Sequence, residues 1–420
     1  MATAVRFLRS RNIFFSDTTS LLLENGCKVQ FFLRDKPVVR RLHTRCMSRS
    51  ALIEKTKEDA SITDEDIRNE PVVDIGQVDP ASHTESNIGQ FYTVPEEIST
   101  RVLSYFFTKR FQSECQITGS TSLMIRKPTL EVLQHLKGLS EDARPPRKFI
   151  FYGDNGHGKS LSLAHVLHYC YSAGWFILPV PSVFSWCHGK SELQVSTQHA
   201  DRFDQPELAS AWLQMCRSIN SKFLTEVKTS KQYLFGKRDT VKEGEPFGKI
   251  IDMGFRRATY ATDAVGVLLK EIRNNPSLRV LYAVNEFNGF FLKTTFKDAQ
   301  QNWIKPKRLS LIHHFTKLLH PEDGLKNGAM VFALSRTGML RSYIESYEVA
   351  DLLRERGLSA VLPFTNIEVP RYSKEELDAC LQFFKKRGVL TKDLNSQLTK
   401  EIAFLSDYEP PIVSALCRRS

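Results

Sequence analysis

The sequence contains no apolar run approaching the length of about 18 residues that a membrane-crossing helix needs, so no membrane insertion is expected. It has no C-x-x-C pair. Its eight cysteines (27, 46, 115, 170, 187, 216, 380 and 417) are too scattered for a zinc ribbon or a disulfide framework. Reduced, structural thiols in a reducing compartment are the expectation. No internal repeat is visible, and the N-K-x-D signature of small GTPases is missing. Acid is missing from the first 16 residues, where Arg6, Arg9 and Arg11 interleave with Val5, Phe7, Leu8, Ile13, Phe14 and Phe15. A secretory signal would need a longer apolar stretch than Leu21–Leu23. An Arg-rich, acid-poor, amphipathic start instead predicts a mitochondrial transit peptide over 1–50 and a mitochondrial matrix address.

What is present is a soluble, globular composition: 420 residues, 41% hydrophobic and 25% charged, enough for one large domain or two ordinary ones. The net charge of +11 is unevenly spread. Residues 1–50 carry +7 and residues 51–100 carry −9, which leaves +13 on the remainder. A basic body suits a polyanionic partner, or is an ordinary solvated surface. Residues 51–97, acidic and punctuated by Pro71, Pro80 and Pro95, read as an extended arm. Ordered structure is expected to resume in a helix over 98–111.

From Lys148 onward, short apolar runs alternate with amphipathic segments, the pattern of a parallel α/β sheet flanked by helices. The predicted strands are Phe149–Tyr152, Phe176–Val180, Val280–Val284, Met330–Leu334 and Thr365–Val369. The predicted helices cover 159–173, 206–228, 259–273 and 309–319. Ser373 and Glu376 form a capping box ahead of Leu377, Leu381 and Phe384, and Gly388 is placed to stop that helix. The expected organisation is therefore a nucleotide-binding domain over 98–370 and a small helical lid over 371–420.

Gly153-Asp-Asn-Gly156-His-Gly158-Lys159-Ser160 matches the phosphate-binding pattern G-x-x-x-x-G-K-[ST] and lies between a strand and a helix. Its glycines let backbone N–H groups turn toward a phosphate at the positive end of the helix. Lys159 is expected on the β- and γ-phosphates, and the Ser160 hydroxyl on Mg²⁺. Gly153, Asn155, Gly156, His157 and Gly158 complete the predicted nucleotide contacts. His157 is not read as a metal ligand; nor are His313 and His314, which lack a third partner. Val280–Glu286 is an apolar strand ending in Asn285, where a Walker B strand would carry Asp for the Mg²⁺ shell. Asn285 is therefore an uncharged member of the expected metal site, and Glu286 is the one candidate catalytic carboxylate, able to orient a water. Met330–Leu334 ends at Ser335 and Arg336, either of which would face a γ-phosphate; Arg336 suits pairing with a carboxylate equally well. Between 287 and 308, Phe287, Phe290, Phe291, Phe296 and Trp303 interleave with Lys293, Lys297, Lys305, Lys307 and Arg308. That mixture suits RNA, a protein docking face or a solvated loop.

Arg202-Phe-Asp-Gln-Pro206, Ala211-Trp-Leu213 and, most specifically, Ala261 through Glu271 give the chain from about 90 to 420 a resemblance to the death-associated protein 3 family. The resemblance implies an additional-strand P-loop fold, related to that of AAA ATPases, with a helical lid. It implies a guanine nucleotide, with GTP favoured over ATP, and residence in the head of the mitochondrial small ribosomal subunit. The implied partners are small-subunit ribosomal proteins and rRNA, with a contact to the large subunit. Within the family pattern Asn285 replaces an expected Asp, and Glu286 is an acid the family need not carry. The expectation is a nucleotide-binding structural component supporting mitochondrial translation, with slow or absent hydrolysis. The alternatives are an active NTPase that remodels a partner, or an apoptosis-related adaptor.

Overall fold

The computed structural model describes residues 72–139, 146–322, 324–337 and 346–419. The predicted transit peptide and the first part of the acidic arm lie outside them. Strand β1 (Phe91–Thr93) pairs antiparallel with β2 (Ser122–Met124), and α1 (Lys109–Thr118) lies between them in sequence. Helix α2 (Lys127–Lys137) then leads to β3 (Arg147–Tyr152), α3 (Lys159–Ser172) and β4 (Phe176–Val180). After α4 (Val183–His188), α5 (Pro206–Ile219), α6 (Gly248–Arg256) and α7 (Ala258–Asn274) comes β5 (Val280–Asn285). Helix α8 (Ser310–Lys317), β6 (Gly328–Ala333), α9 (Val349–Val361) and β7 (Thr365–Glu368) follow, and α10 (Lys374–Lys386), α11 (Ser396–Ser406) and α12 (Pro410–Cys417) close the chain.

The five strands β7-β3-β6-β5-β4 form one parallel sheet in that order, so β6 separates β3 from β5. Continuous apolar runs are what a parallel sheet covered on both faces requires. Phe149–Phe151, Phe176–Leu178, Leu281–Val284 and Ala329–Ala333 are accordingly buried. The register aligns Phe151 with Ala333 and Ala333 with Asn285, bringing the ends of β3, β6 and β5 to one edge. All five predicted strands are present; α3, α5 and α8 lie within the predicted helical ranges, and α7 exceeds its predicted range by one residue at each end.

Three expectations need correction. The predicted helix 98–111 is broken: a π-helical stretch, Ser99–Leu103, and a 3-10 turn, Ser104–Phe106, precede a fresh helix start. At that start the Thr108 side chain accepts from the Phe111 N–H, satisfying a donor the first helical turn would otherwise leave unpaired. The predicted helix 206–228 breaks at Asn220. That buried amide accepts from the Ile177 N–H and donates to the Ile177 carbonyl, both at 2.8 Å, in place of a neighbouring strand beyond edge strand β4. From residue 72 on, the arm is folded rather than free. Val73 and Phe91 are buried, Tyr92 is fully enclosed, and Asp74 pairs with Arg387 at 2.7 Å.

The last three helices have a core of their own, in which Leu377, Leu381, Phe384, Ile402 and Val413 are joined by Val73 and Phe91. Phe91 stacks on Phe383 with ring centroids 4.0 Å apart. The capping box forms in both directions, Ser373 accepting from the Glu376 N–H and Glu376 from the Ser373 N–H, and Gly388 turns the chain at φ 69°. The six described cysteines are all free, and burial pushes the thiols of Cys187, Cys216 and Cys417 up to about 12, as befits structural thiols. Among the described residues, no helix is long and apolar enough to cross a membrane.

Candidate nucleotide site

The sequence 153–158 cannot run as regular structure, because Gly153, Gly156 and Gly158 adopt φ of 130°, 90° and 102°. At two of them space is as restrictive as φ. A Cβ on Gly153 would stand 2.6 Å from the Val369 carbonyl oxygen, and one on Gly156 would stand 2.4 Å from Cγ of Pro411. The loop therefore wraps tightly between the end of β7 and the start of α12 and delivers the chain into α3.

Lys159 folds back into the loop. Its ammonium donates to the carbonyl oxygens of Gly153 at 2.8 Å and Asp154 at 2.7 Å, and the residue is only 7% exposed. Burial lowers its pKa to about 8, against the raising field of Asp154. Both hydrogen-bond partners are neutral carbonyls, so a phosphate would supply the anion that this desolvated cation lacks in direct contact. Arg336 comes in from the end of β6 and pairs with Asp154 at 3.0 Å. The carboxyl of Asp154 is lowered despite its desolvation, because the Asn155 N–H and Arg336 favour its charged form. Asn155 is exposed on the loop, whereas His157 is buried, and desolvation followed by the nearby Lys159 charge lowers its pKa.

The end of β5 meets the loop directly, since the Ser160 hydroxyl donates to Asn285 Oδ1 at 3.1 Å. The residues chosen as the metal site are thus adjacent, and between them they hold no charge. Among the described residues, no cluster of three or more His, Cys, Asp or Glu could hold a metal. A Mg²⁺ here would rest on Ser160, water and phosphate oxygens, with Asn285 behind them. Glu286 sits beside this pair at φ 58°, a left-handed backbone unusual for a residue with a side chain. Its Oε2 accepts from the Ser182 hydroxyl and from the Phe184 N–H at 3.2 Å, fastening it to the first turn of α4.

The expected recognition surface at 287–308 changes character. Phe287 and Phe290 are buried, Phe287 stacking on Phe332 at 4.0 Å, and Phe291 and Phe296 pack half-buried against the same core. Trp303 alone of the five aromatics is well exposed, at 60%, with Lys297 4.8 Å from its ring centroid. Asp298, the acid of this run, caps its own turn by accepting from the N–H groups of Gln300 and Asn302. His314 is half-buried, and desolvation lowers its pKa to about 3.

Two contributors were missed in the sequence. Asn288 exchanges hydrogen bonds with the backbone of Ser335, at 2.7 and 3.0 Å, locking the end of β5 to the end of β6. Arg126, at the N-terminus of α2, donates to the carbonyl of His157 inside the loop at 2.7 Å. No short motif marks either residue, because each acts across a long sequence separation.

A family model described as mitochondrial ribosomal death-associated protein 3 matches residues 123–411. The chain is 35% identical over 344 residues to the small ribosomal subunit protein mS29 of Mus musculus, covering 81% of this chain and 87% of that one. It is 34% identical over 344 residues to mS29 of Bos taurus, covering 81% and 86%. The mS29 of Schizosaccharomyces pombe is 22% identical over 252 residues, 59% of this chain and 52% of that one.

Proposed function

Because the chain belongs to the mitochondrial ribosomal death-associated protein 3 family, we propose that it is a component of the small subunit of the mitochondrial ribosome. In that reading it binds GTP or ATP as a structural or regulatory ligand. Small-subunit ribosomal proteins and rRNA are its partners, with the large subunit within contact, and the mitochondrial matrix is its compartment. Its relatives' name supports the ribosomal part, and the basic amphipathic start of the chain supports the address. The strand order, with β6 between the loop strand and the strand of Asn285, supports a P-loop fold of the additional-strand type.

The observation that carries nucleotide binding is Lys159, a buried ammonium held by two carbonyls inside a glycine loop at a helix N-terminus. Bound phosphate would supply the charge that Lys159 is placed to neutralise. Ser160, with Asn285 behind it, would hold a Mg²⁺ that offsets phosphate charge. The chain's own residues do the rest: the glycines bring backbone donors close, Arg336 and Asp154 brace the loop, and Asn285 orients Ser160. Glu286, engaged by Ser182 and Phe184, is committed to α4, which supports binding over turnover.

Mass spectrometry of nucleotide released from the native purified protein, alongside sedimentation of the protein with mitochondrial small subunits, tests both halves. A stoichiometric guanine or adenine nucleotide and stable co-sedimentation are expected. Protein that carries no nucleotide and takes up neither GTP nor ATP would remove the first half. Protein that stays free of small subunits would remove the second.

A further inference from the structure

Arg126 lies at the junction of three parts of the molecule that are far apart in sequence. Its Nη1 donates to the His157 carbonyl at 2.7 Å. Its Nε and Nη2 donate to the two carboxylate oxygens of Glu376 at 2.9 and 2.8 Å, a bidentate pair. Nη2 also reaches the carbonyls of Pro370 and Arg371, at 3.1 and 3.0 Å, and the guanidinium lies 5.2 Å from the centroid of the Tyr372 ring. Arg126 and Glu376 are 6% and 5% exposed. Glu376 is the same residue that caps the first turn of α10.

A phosphate loop works only if its peptide N–H groups face the anion, which requires the matching carbonyls to face away. In a trans peptide the carbonyl of His157 and the N–H of Gly158 point in opposite directions. Arg126, by holding that carbonyl, turns the Gly158 N–H to the other side, the side an anion would occupy. A second contact joins the same two regions: Pro411, at the start of α12, lies against Gly156, and its carbonyl is held by Arg110. The loop is thus gripped twice by the C-terminal helices, once through Arg126 and Glu376 and once through Pro411.

We propose that Arg126 is the positioning residue of the phosphate loop and that, through Glu376, it makes the seating of helices α10–α12 depend on phosphate occupancy of that loop. This rests on the nucleotide-binding reading above and adds to it a mechanical output. Phosphate that draws the Gly158 N–H inward strengthens the grip of Arg126 on His157 and so on Glu376. The C-terminal face then reports the nucleotide state to whatever it touches.

Arg126→Lys in the full-length protein is the test. Lysine keeps the charge that neutralises buried Glu376, and so leaves no orphaned carboxylate, but lacks the planar fork that reaches the loop carbonyl at the same time. Affinity for Mg²⁺–GTP and Mg²⁺–ATP is measured by calorimetry well below the unfolding temperature, with hydrogen exchange across 374–417 in the presence and absence of nucleotide. Wild type should bind and gain protection across α10 and α12. The lysine variant should bind about tenfold more weakly and lose that nucleotide-dependent protection. Equal affinity and equal protection in wild type and variant, whatever the change in melting temperature, would reduce Arg126 to a structural ion pair and overturn this role alone. Wild type that binds neither nucleotide would overturn the site itself. If Arg126→Lys does not fold, Glu376→Gln, which retains one acceptor oxygen, takes its place. It should weaken binding about threefold and blunt the protection, and unchanged values would again refute the role.

Discussion

At one edge of the sheet the ends of β3 and β5 stand a single strand apart, and they are fitted for a phosphate on different terms. The end of β3 carries everything that grips: three glycines with positive φ, a desolvated lysine and the start of a buried helix. The end of β5 carries a neutral amide where a charge would steady a metal, and a carboxylate already committed to a neighbouring helix. In an enzyme that turns over nucleotide, the two ends must be matched, since a well-held phosphate is of little use without a metal and a directed water. Here the gripping half is complete and the reacting half is subdued. That imbalance favours the proposed reading, a ligand held rather than consumed, and each half can be altered alone.

The largest effect should come from emptying the gripping half. Lys159→Ala removes the ammonium aimed into the loop, and nucleotide affinity by calorimetry should fall roughly ten- to a hundredfold. Unchanged affinity would place any bound nucleotide elsewhere. The same residue gives a pH signature. Its folded pKa of about 8 lies below the ordinary 10.5, so between those values the unfolded chain binds more protons. Taken by itself, Lys159 therefore contributes a stability to the ligand-free protein that rises with pH through this window, while nucleotide affinity falls as the ammonium is lost. Burial also lowers Lys148 and raises the thiols of Cys187, Cys216 and Cys417, whose contribution falls over the same window, so the Lys159 signature is the stability difference between wild type and Lys159→Met, which should grow with pH.

Repairing the reacting half should matter less. Asn285→Asp places a negative charge beside the Ser160 hydroxyl, 3.1 Å away in the present arrangement. If metal positioning limits turnover, Mg²⁺-dependent single-turnover hydrolysis of GTP or ATP should rise about tenfold, the scale on which residues just behind a metal act. No rise would mean that the commitment of Glu286, rather than the missing charge, is what limits turnover.

The difference between the two halves is also a difference in what could be read from the sequence. The loop is a contiguous pattern with a strand before it and an apolar helix after it, and the five sheet strands are unbroken apolar runs, so both were legible. The predicted strand endings at Asn285 and Arg336 do meet the loop residues Ser160 and Asp154, because a parallel sheet delivers strand ends to one edge. Arg126 was invisible for the opposite reason, since its partners His157 and Glu376 are 31 and 250 residues away. The interleaving of aromatics and cations over 287–308 left the burial of the rings unread, because a sequence does not say which way a ring turns. Phe287 and Phe290 are core residues whose basic neighbours lie outside. The break at Asn220 is tertiary too: helix-compatible residues surround an amide that serves the edge of β4 instead.

The smallest expected change is at Glu286 itself. Its carboxylate accepts from Ser182 and Phe184, and glutamine retains an oxygen that can accept from both. What is lost is the charge at the first turn of α4, a cost of about 0.5–1 kcal/mol in stability. In a protein that holds nucleotide without consuming it, Glu286→Gln should leave single-turnover hydrolysis within twofold of wild type and leave incorporation into small subunits unchanged. The measurement is made with GTP and with ATP, with and without small subunits, because a partner could release the carboxylate from α4 and turn it toward a water. Wild-type turnover of about 1 s⁻¹, the lower end of ordinary enzyme rates, that disappears in the glutamine variant would make the reacting half functional. The chain would then be an NTPase, and the imbalance between the two strand ends would describe only its resting state.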